Sequence, residues 1–318
     1  MRHAVLEAAC AFGEIRVQRR AKGRVKRRSG WIAIAALVAG LVSGCGGDEP
    51  VATPFPDVIR ASIEKGIAWQ LEQQMLRTDA ILASSWIAEA VAAQLPEPAA
   101  KLRARSIERY QQRWPDELVL RKLIGGKQDL PDDKTVFDRH RDGILARLAD
   151  GTIGHSGDGP QDFLLVSLYA NDPYVRGNFD RVFDALFERP LPRYGVTHQL
   201  LALHFLQREK AFPEAKIQAA IDRYVEPVAE SVDHDLVVGV YTDLMAERMA
   251  FLALVDRVDL LKPAWLQFSI ANQRANGQWE VEPSSVSPAG LGRDMDQHIT
   301  VLSLYALSRF LAHIDPKP

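Results

Sequence analysis

The 318-residue chain is 47% hydrophobic and 25% charged, with a formal net charge of −2; these globular proportions exclude a collagen-like repeat, a wholly disordered chain and a polytopic membrane protein. Two Cys are too few for a disulfide scaffold or a multi-cysteine zinc site, and the charge balance carries no nucleic-acid signature. The average hides an asymmetry: residues 1–44 hold nine Lys or Arg against Glu7 and Glu14, whereas residues 45–318 hold 30 basic and 39 acidic residues.

The first element is an apolar run, Trp31 to Gly44, behind that basic stretch. Fourteen helical residues span about 21 Å, short of the ~30 Å hydrocarbon core. Residues 1–44 therefore read as a secretory signal peptide. The opening MRHAVLEAACAFGEIR is too long and too acidic for a signal start, so a start at Val17 or Val25 is expected. Leu41-Val42-Ser43-Gly44-Cys45 resembles the lipobox of bacterial lipoproteins. The resemblance implies a diacylglycerol on the Cys45 thiol, cleavage before Cys45 and acylation of the new amine, and two or three acyl chains hold a protein firmly. It also implies the bacterial cell envelope, with the membrane as partner through the anchor. Gly46 rather than Asp after the Cys points to the outer membrane, facing the periplasm. The remaining 274 residues would keep no free thiol. Residues 45–56, the lipidated Cys and GGDEPVATPFP, read as a flexible tether.

From Asp57 helical periodicity recurs and strand alternation does not. Helices are expected at 57–76, 79–94, 98–113, 134–149, 160–170, 175–188, 196–209, 214–230, 235–256, 263–275 and 296–313. Thr197 and Asp235 are expected N-caps. The fold class is all-α over residues 57–318. A faint repeat runs through it: Asp150-Gly151-Thr152-Ile153 before a helix containing Ser167-Leu168-Tyr169-Ala170, and Asn276-Gly277-Gln278-Trp279 before one containing Ser303-Leu304-Tyr305-Ala306. Val196 to Leu203 is a weaker copy.

The stretch Trp265 to Phe310 resembles one repeat of the α/α toroid families: terpene cyclases, protein prenyltransferase β subunits and complement-type thioester domains. Gln273, Asn276, Gly277, Trp279, His298, Thr300, Leu304 and Ala306 carry the resemblance. It implies a toroid-like array of helix hairpins, a closed or incomplete ring, with inner helices around a cavity and outer helices buttressing them.

Chemistry-bearing residues are few. Asp243 and Glu247 lie at i,i+4 in the apolar run Leu236 to Val255; two like charges at that spacing repel, and burying them needs a cation, hydrogen bonds or a shared proton. One reading is a cavity-facing acid pair with His198 or His298 nearby, suited to acid/base work or a metal. The other is an ion pair with Arg248 or an Arg of another helix. Asp294-Met295-Asp296-Gln297-His298-Ile299-Thr300 resembles the zinc-histidine segment of prenyltransferase β subunits. That zinc also needs a cysteine, which the lipidated chain lacks, so the metal does not carry over. An Asp/His-only site stays open, with Asp233, His234 and Asp235 as further candidates, and so does simple capping by Asp296. Gly151 to Gly159, with His155 and Asp158, reads as a loop over one mouth of the toroid, and Asp132-Asp133 as a helix cap. No cofactor is expected, a metal held by Asp/Glu/His being the one open case, and no nucleic acid. Three functional readings follow. In the first, the cavity binds a ligand (glycan, lipid or peptide). In the second, a hydrolase or lyase acts on an envelope polymer through Asp243, Glu247, His198, Asp296 or His298. In the third, a helical scaffold docks an envelope partner protein.

Overall fold

The structure, a computed structural model, describes residues 55–74, 77–113, 142–143, 146, 166–167, 170–171, 173–210, 212–280 and 292–317. The signal segment, Cys45 with its lipobox, the tether before Phe55, the alternative starts, Asp132-Asp133, the 134–149 and 160–170 helices as wholes, the first repeat copy and the loop with His155 and Asp158 lie outside the described residues.

Among the described residues the chain is all-α. Its helices are α1 (Phe55–Glu72), α2 (Thr78–Ala90), α3 (Pro96–Arg113), α4 (Pro173–Gly177), α5 (Phe179–Phe187), α6 (Tyr194–Glu209), α7 (Glu214–Val238), α8 (Asp243–Leu254), α9 (Pro263–Ala271) and α10 (Gly292–Ile314), with a 3-10 turn at Val258–Leu260. The only strand-like pairing among them is one antiparallel bridge, Gln273 to Trp279.

Two burial patterns divide these helices. In α7 the buried residues Ile217, Ala220, Ile221, Tyr224, Val225, Val228 and Val232 recur every three to four positions. That is one apolar stripe with a wet opposite face. In α1, Ile59, Ile63, Ile67 and Gln70 do the same. By contrast α10 is buried at every position from Gln297 to Leu307, α6 from Val196 to Leu203, and α2 from Ala80 to Ser84. Such helices touch neighbours on all sides. They form an inner row in which α2 packs on α10, α10 on α8 and α8 on α6, while α3, α1 and α7 lie behind α2, α10 and the α6/α8 pair.

Residues near the starts of the four inner helices meet at one end, and residues further along them meet at the other. At the first end are Asp79, Tyr194, Asp243 and His298. At the second, Trp86 lies against His204 and Tyr305, both 6.0 Å between ring centroids, and Arg309 pairs with Asp256. The inner helices therefore run parallel, with outer helices returning the chain.

Several expected boundaries are corrected. The first helix starts at Phe55, so Phe55 and Pro56 belong to it and not to the tether. The 175–188 helix is two, broken at Asn178. The expected 235–256 helix does not exist as one piece: α7 runs on through Pro227 to Val238, and Gly239, at φ 75°, ends it in the left-handed conformation that glycine adopts at no steric cost. The cap of α8 is Thr242, whose hydroxyl accepts from the Met245 amide, and not Asp235. Thr197 lies inside α6 and is no N-cap.

The motif that carried the toroid resemblance is a clamp. Gln273 accepts from the Ser62 hydroxyl at 2.7 Å and donates to the carbonyls of Ser62 and Gly277. Gly277, at φ 95°, sits so close to the Lys65 carbonyl that a Cβ would fall 2.1 Å from it. Trp279 is wholly buried; its indole donates to Ser269 O, and its amide donates to Thr300 Oγ1. Residues 273–279, after α9, are thereby pinned to α1 and, through Trp279 and Thr300, to α10.

Candidate functional site

The Thr242 cap starts α8, so Asp243 is its first residue and Glu247 follows one turn later on the same side. The side chains are 5% and 0% exposed. Across from them α10 presents His298, whose Nε2 is 3.6 Å from Asp243 Oδ1. The other ring nitrogen, Nδ1, lies 2.5 Å from Asp79 Oδ2, and Arg77 donates to the second Asp79 oxygen at 3.0 Å. From α6, Tyr194 donates to Asp243 Oδ2 at 3.2 Å, and His198 Nδ1 is 3.5 Å from Glu247 Oε1. Four residues expected to carry chemistry, His198, Asp243, Glu247 and His298, thus converge from three helices.

The hydrogen bonds constrain the protons. The Thr197 hydroxyl lies 2.8 Å from the Tyr194 carbonyl and 2.6 Å from Glu247 Oε1. A hydroxyl carries one proton and a carbonyl only accepts, so both contacts are satisfied together when Glu247 supplies a proton. The electrostatics agree: burial first, then the charge of Asp243, pushes Glu247 up to about 8. Burial also raises Asp243, against the pull of His298 and Tyr194. Burial opposes a charge on His298, but Asp243, Asp79 and Glu247 outweigh it and lift the imidazole to about 9. Burial likewise opposes ionisation of Asp79, yet the His298 bond and the charges of His298 and Arg77 hold its carboxyl well below the usual range. Near pH 7 Asp79 and His298 are therefore an ion pair and Glu247 keeps its proton. His198 stays neutral: burial, helped by the His298 charge, lowers it to about 4 against its bond to the Tyr194 carbonyl.

Two oxygens have no hydrogen-bond donor among the described residues, Asp243 Oδ1 and Glu247 Oε2, and both are buried. The ion pair expected with Arg248 is not formed; Arg248 binds Asp235 instead. What opposes the negative charge is His298, Arg77 and the N-terminal ends of α2, α6 and α8, each with partial positive charge. Asp243, Glu247 and His298 each present one ligand atom, and the three atoms lie within 4.8 Å of one another.

The other candidates fall elsewhere. Asp296 does not join the centre: it lies in the second turn of α10, so it is no N-cap, and accepts from Gln278 Nε2 at 2.8 Å. Asp233 takes Lys262 and Trp265, Asp235 takes Arg248, and His234 is exposed, so this triplet is no metal site. Asp79, Arg77, Tyr194 and Thr197 went unread as site residues. Asp79 and His298 are 219 positions apart, and nothing local to either marks the pair.

At the opposite end of the inner helices, a cavity of about 570 Å³ is lined by Trp86, His204, Arg208, Asp256, Tyr305 and Arg309 among others. No helix of the described residues is long and apolar enough to cross a membrane. No known protein family, curated protein or solved structure matches the chain.

Proposed function

We propose that the chain is a lipid-anchored protein of the bacterial envelope whose helical domain is a hydrolase or lyase acting on an envelope polymer. Its centre is Asp243, Glu247, His298 and His198, with Asp79 as positioning residue. The observation that carries this reading is the convergence of a proton-bearing buried acid, a neutral imidazole and two carboxylate oxygens without donors at one end of the inner helices. A fold selected for stability alone satisfies or replaces such groups, because each buried oxygen left without a donor costs about 1–3 kcal/mol. Glu247 is suited to donate a proton to a leaving group and His198 to accept one, the acid/base division that buried sites use near neutral pH.

The helices are proposed to form an α/α toroid. Supporting this, outer and inner helices alternate over α1–α3 and α6–α8, and α10, the last inner helix, packs on α2, the first described one, as in a closed ring. Anchoring through Cys45 supports an envelope substrate, since a tether of about ten residues keeps the domain near the bilayer. The ligand-binding reading has one observation in its favour, the cavity beside Trp86, which would hold a polymer segment at the end away from the acids.

The test is fragment release from isolated envelope polymers by the detergent-solubilised full chain, followed by mass spectrometry, with Glu247→Gln as comparison. New chain ends from the wild type that Glu247→Gln fails to make support the enzyme. Binding without new chain ends moves the function to the cavity.

A further inference from the structure

We propose that Asp243, Glu247 and His298 bind one first-row divalent cation of the Zn²⁺ or Mn²⁺ class, with Asp79 orienting the histidine. The inference rests on the acid–histidine centre being the functional site.

The geometry supplies the first argument. Metal–ligand bonds of about 2.1 Å place two donors of a tetrahedral ion ~3.4 Å apart, and His298 Nε2 and Asp243 Oδ1 are separated by 3.6 Å. The Glu247 oxygen completes a set spanning no more than 4.8 Å, and small side-chain rotations close that span.

The second argument is the unmet demand for positive charge. Asp243 Oδ1 and Glu247 Oε2 are buried without a hydrogen-bond donor. Two arginines within reach in sequence or space are committed elsewhere, Arg248 to Asp235 and Arg77 to Asp79. A cation between the oxygens would take the place of the proton on Glu247 and of the Nε2 proton on His298, and binding would release both.

The third is the surroundings of His298. Metal-binding histidines characteristically bond a carboxylate through the ring nitrogen that does not face the metal, which fixes the ring. Asp79 does this from Nδ1 and leaves Nε2 on the side of Asp243. One imidazole and two carboxylates suit a borderline divalent ion, and three protein ligands leave a coordination position for water or substrate, as catalytic sites do.

The experiment titrates the chelator-stripped full chain, in detergent, with Co²⁺ alone and then Zn²⁺ alone. The expected result is one Co²⁺ per chain with visible absorption bands, displaced by one Zn²⁺. Glu247→Gln and His298→Gln lose this stoichiometric uptake. Asp79→Asn keeps all three ligands and weakens binding by ~10–100-fold, which preserves a readout if a ligand variant fails to fold. Co²⁺ uptake by the wild type no greater than by an Asp243→Asn/Glu247→Gln double variant overturns the site. Stoichiometric metal without polymer cleavage supports the site and removes the hydrolase reading. Cleavage that survives complete chelation does the reverse.

Discussion

The two ends of the inner helices solve the burial of polar groups in opposite ways. At the C-terminal end, Arg309 is paired with Asp256, Trp86 and Tyr305 supply apolar surface, and a cavity leaves room for water or ligand. At the N-terminal end, three carboxylates and two imidazoles are packed with two oxygens left without donors. The same helices, in parallel, build both. Acids in the first turns of α2 and α8 follow the helix dipole, and only this end buries carboxyl oxygens that lack a donor among the described residues. In the proposed function, the difference separates a surface that accommodates a ligand from a centre arranged to react.

The largest expected effect comes from exchanging the ends in mutagenesis. Glu247→Gln should lower the rate of polymer cleavage ~10²–10⁴-fold, the usual contribution of a positioned acid. Arg309→Gln should change it less than ~10-fold, and through KM rather than kcat. Equal losses at both ends would break the contrast.

Stability tests what holds the reactive end in register. Trp279→Ala should cost ~3–5 kcal/mol in urea denaturation, as for other buried large-to-small changes. Gly277→Ala should cost at least ~1–2 kcal/mol from the left-handed backbone alone, before the contact with the Lys65 carbonyl is relieved. If cleavage falls in Gly277→Ala while the chain stays folded, the loop clamp positions His298 as well as stabilising α10.

A smaller effect is the pH dependence of melting in the chelator-treated chain. Glu247, raised from 4.5 to about 8, contributes stability that is lost as pH rises across that interval. His298, raised from 6.5 to about 9, contributes stability present below 6.5 and lost as pH climbs through 9. His198 and His204, both lowered by burial to about 4, contribute stability present above 6.5 and lost as pH falls toward 4. Up to about pH 9 the alkaline limb therefore belongs to the acidic end, with Tyr305 adding a loss only above pH 10, and Glu247→Gln should remove part of it. The acid limb belongs to both ends, and His204→Gln should remove only part of it.

Much of this was legible in the sequence, and the gaps have physical reasons. Apolar periodicity located most of the described helices, because packing on a stripe or on all faces leaves a 3.6-residue signature. Asp243 and Glu247 stood out because charges are rare in an apolar run. The break before Asp243 was hidden: Gly239 and Thr242 sit among residues as apolar as the helices they separate, and only the left-handed turn and the Met245 cap reveal it. Asp79 was illegible for a different reason. Near the start of a helix an aspartate is an ordinary sight, and its role exists only through a histidine on a helix 219 positions away. Asp296 misled by proximity, since one turn of helix aims it at Gln278 and away from the centre.

The most direct test of the converged centre needs no substrate. Histidine titration by 15N nuclear magnetic resonance in the chelator-treated full chain should find His298 holding its charge up to about pH 9 and His198 neutral down to about pH 4. Asp79→Asn should lower the His298 value without abolishing its shift, because the charge of Asp243 also holds it up. Both imidazoles titrating near 6.5, unaffected by that variant, would contradict the buried acid–histidine centre on which the functional reading depends.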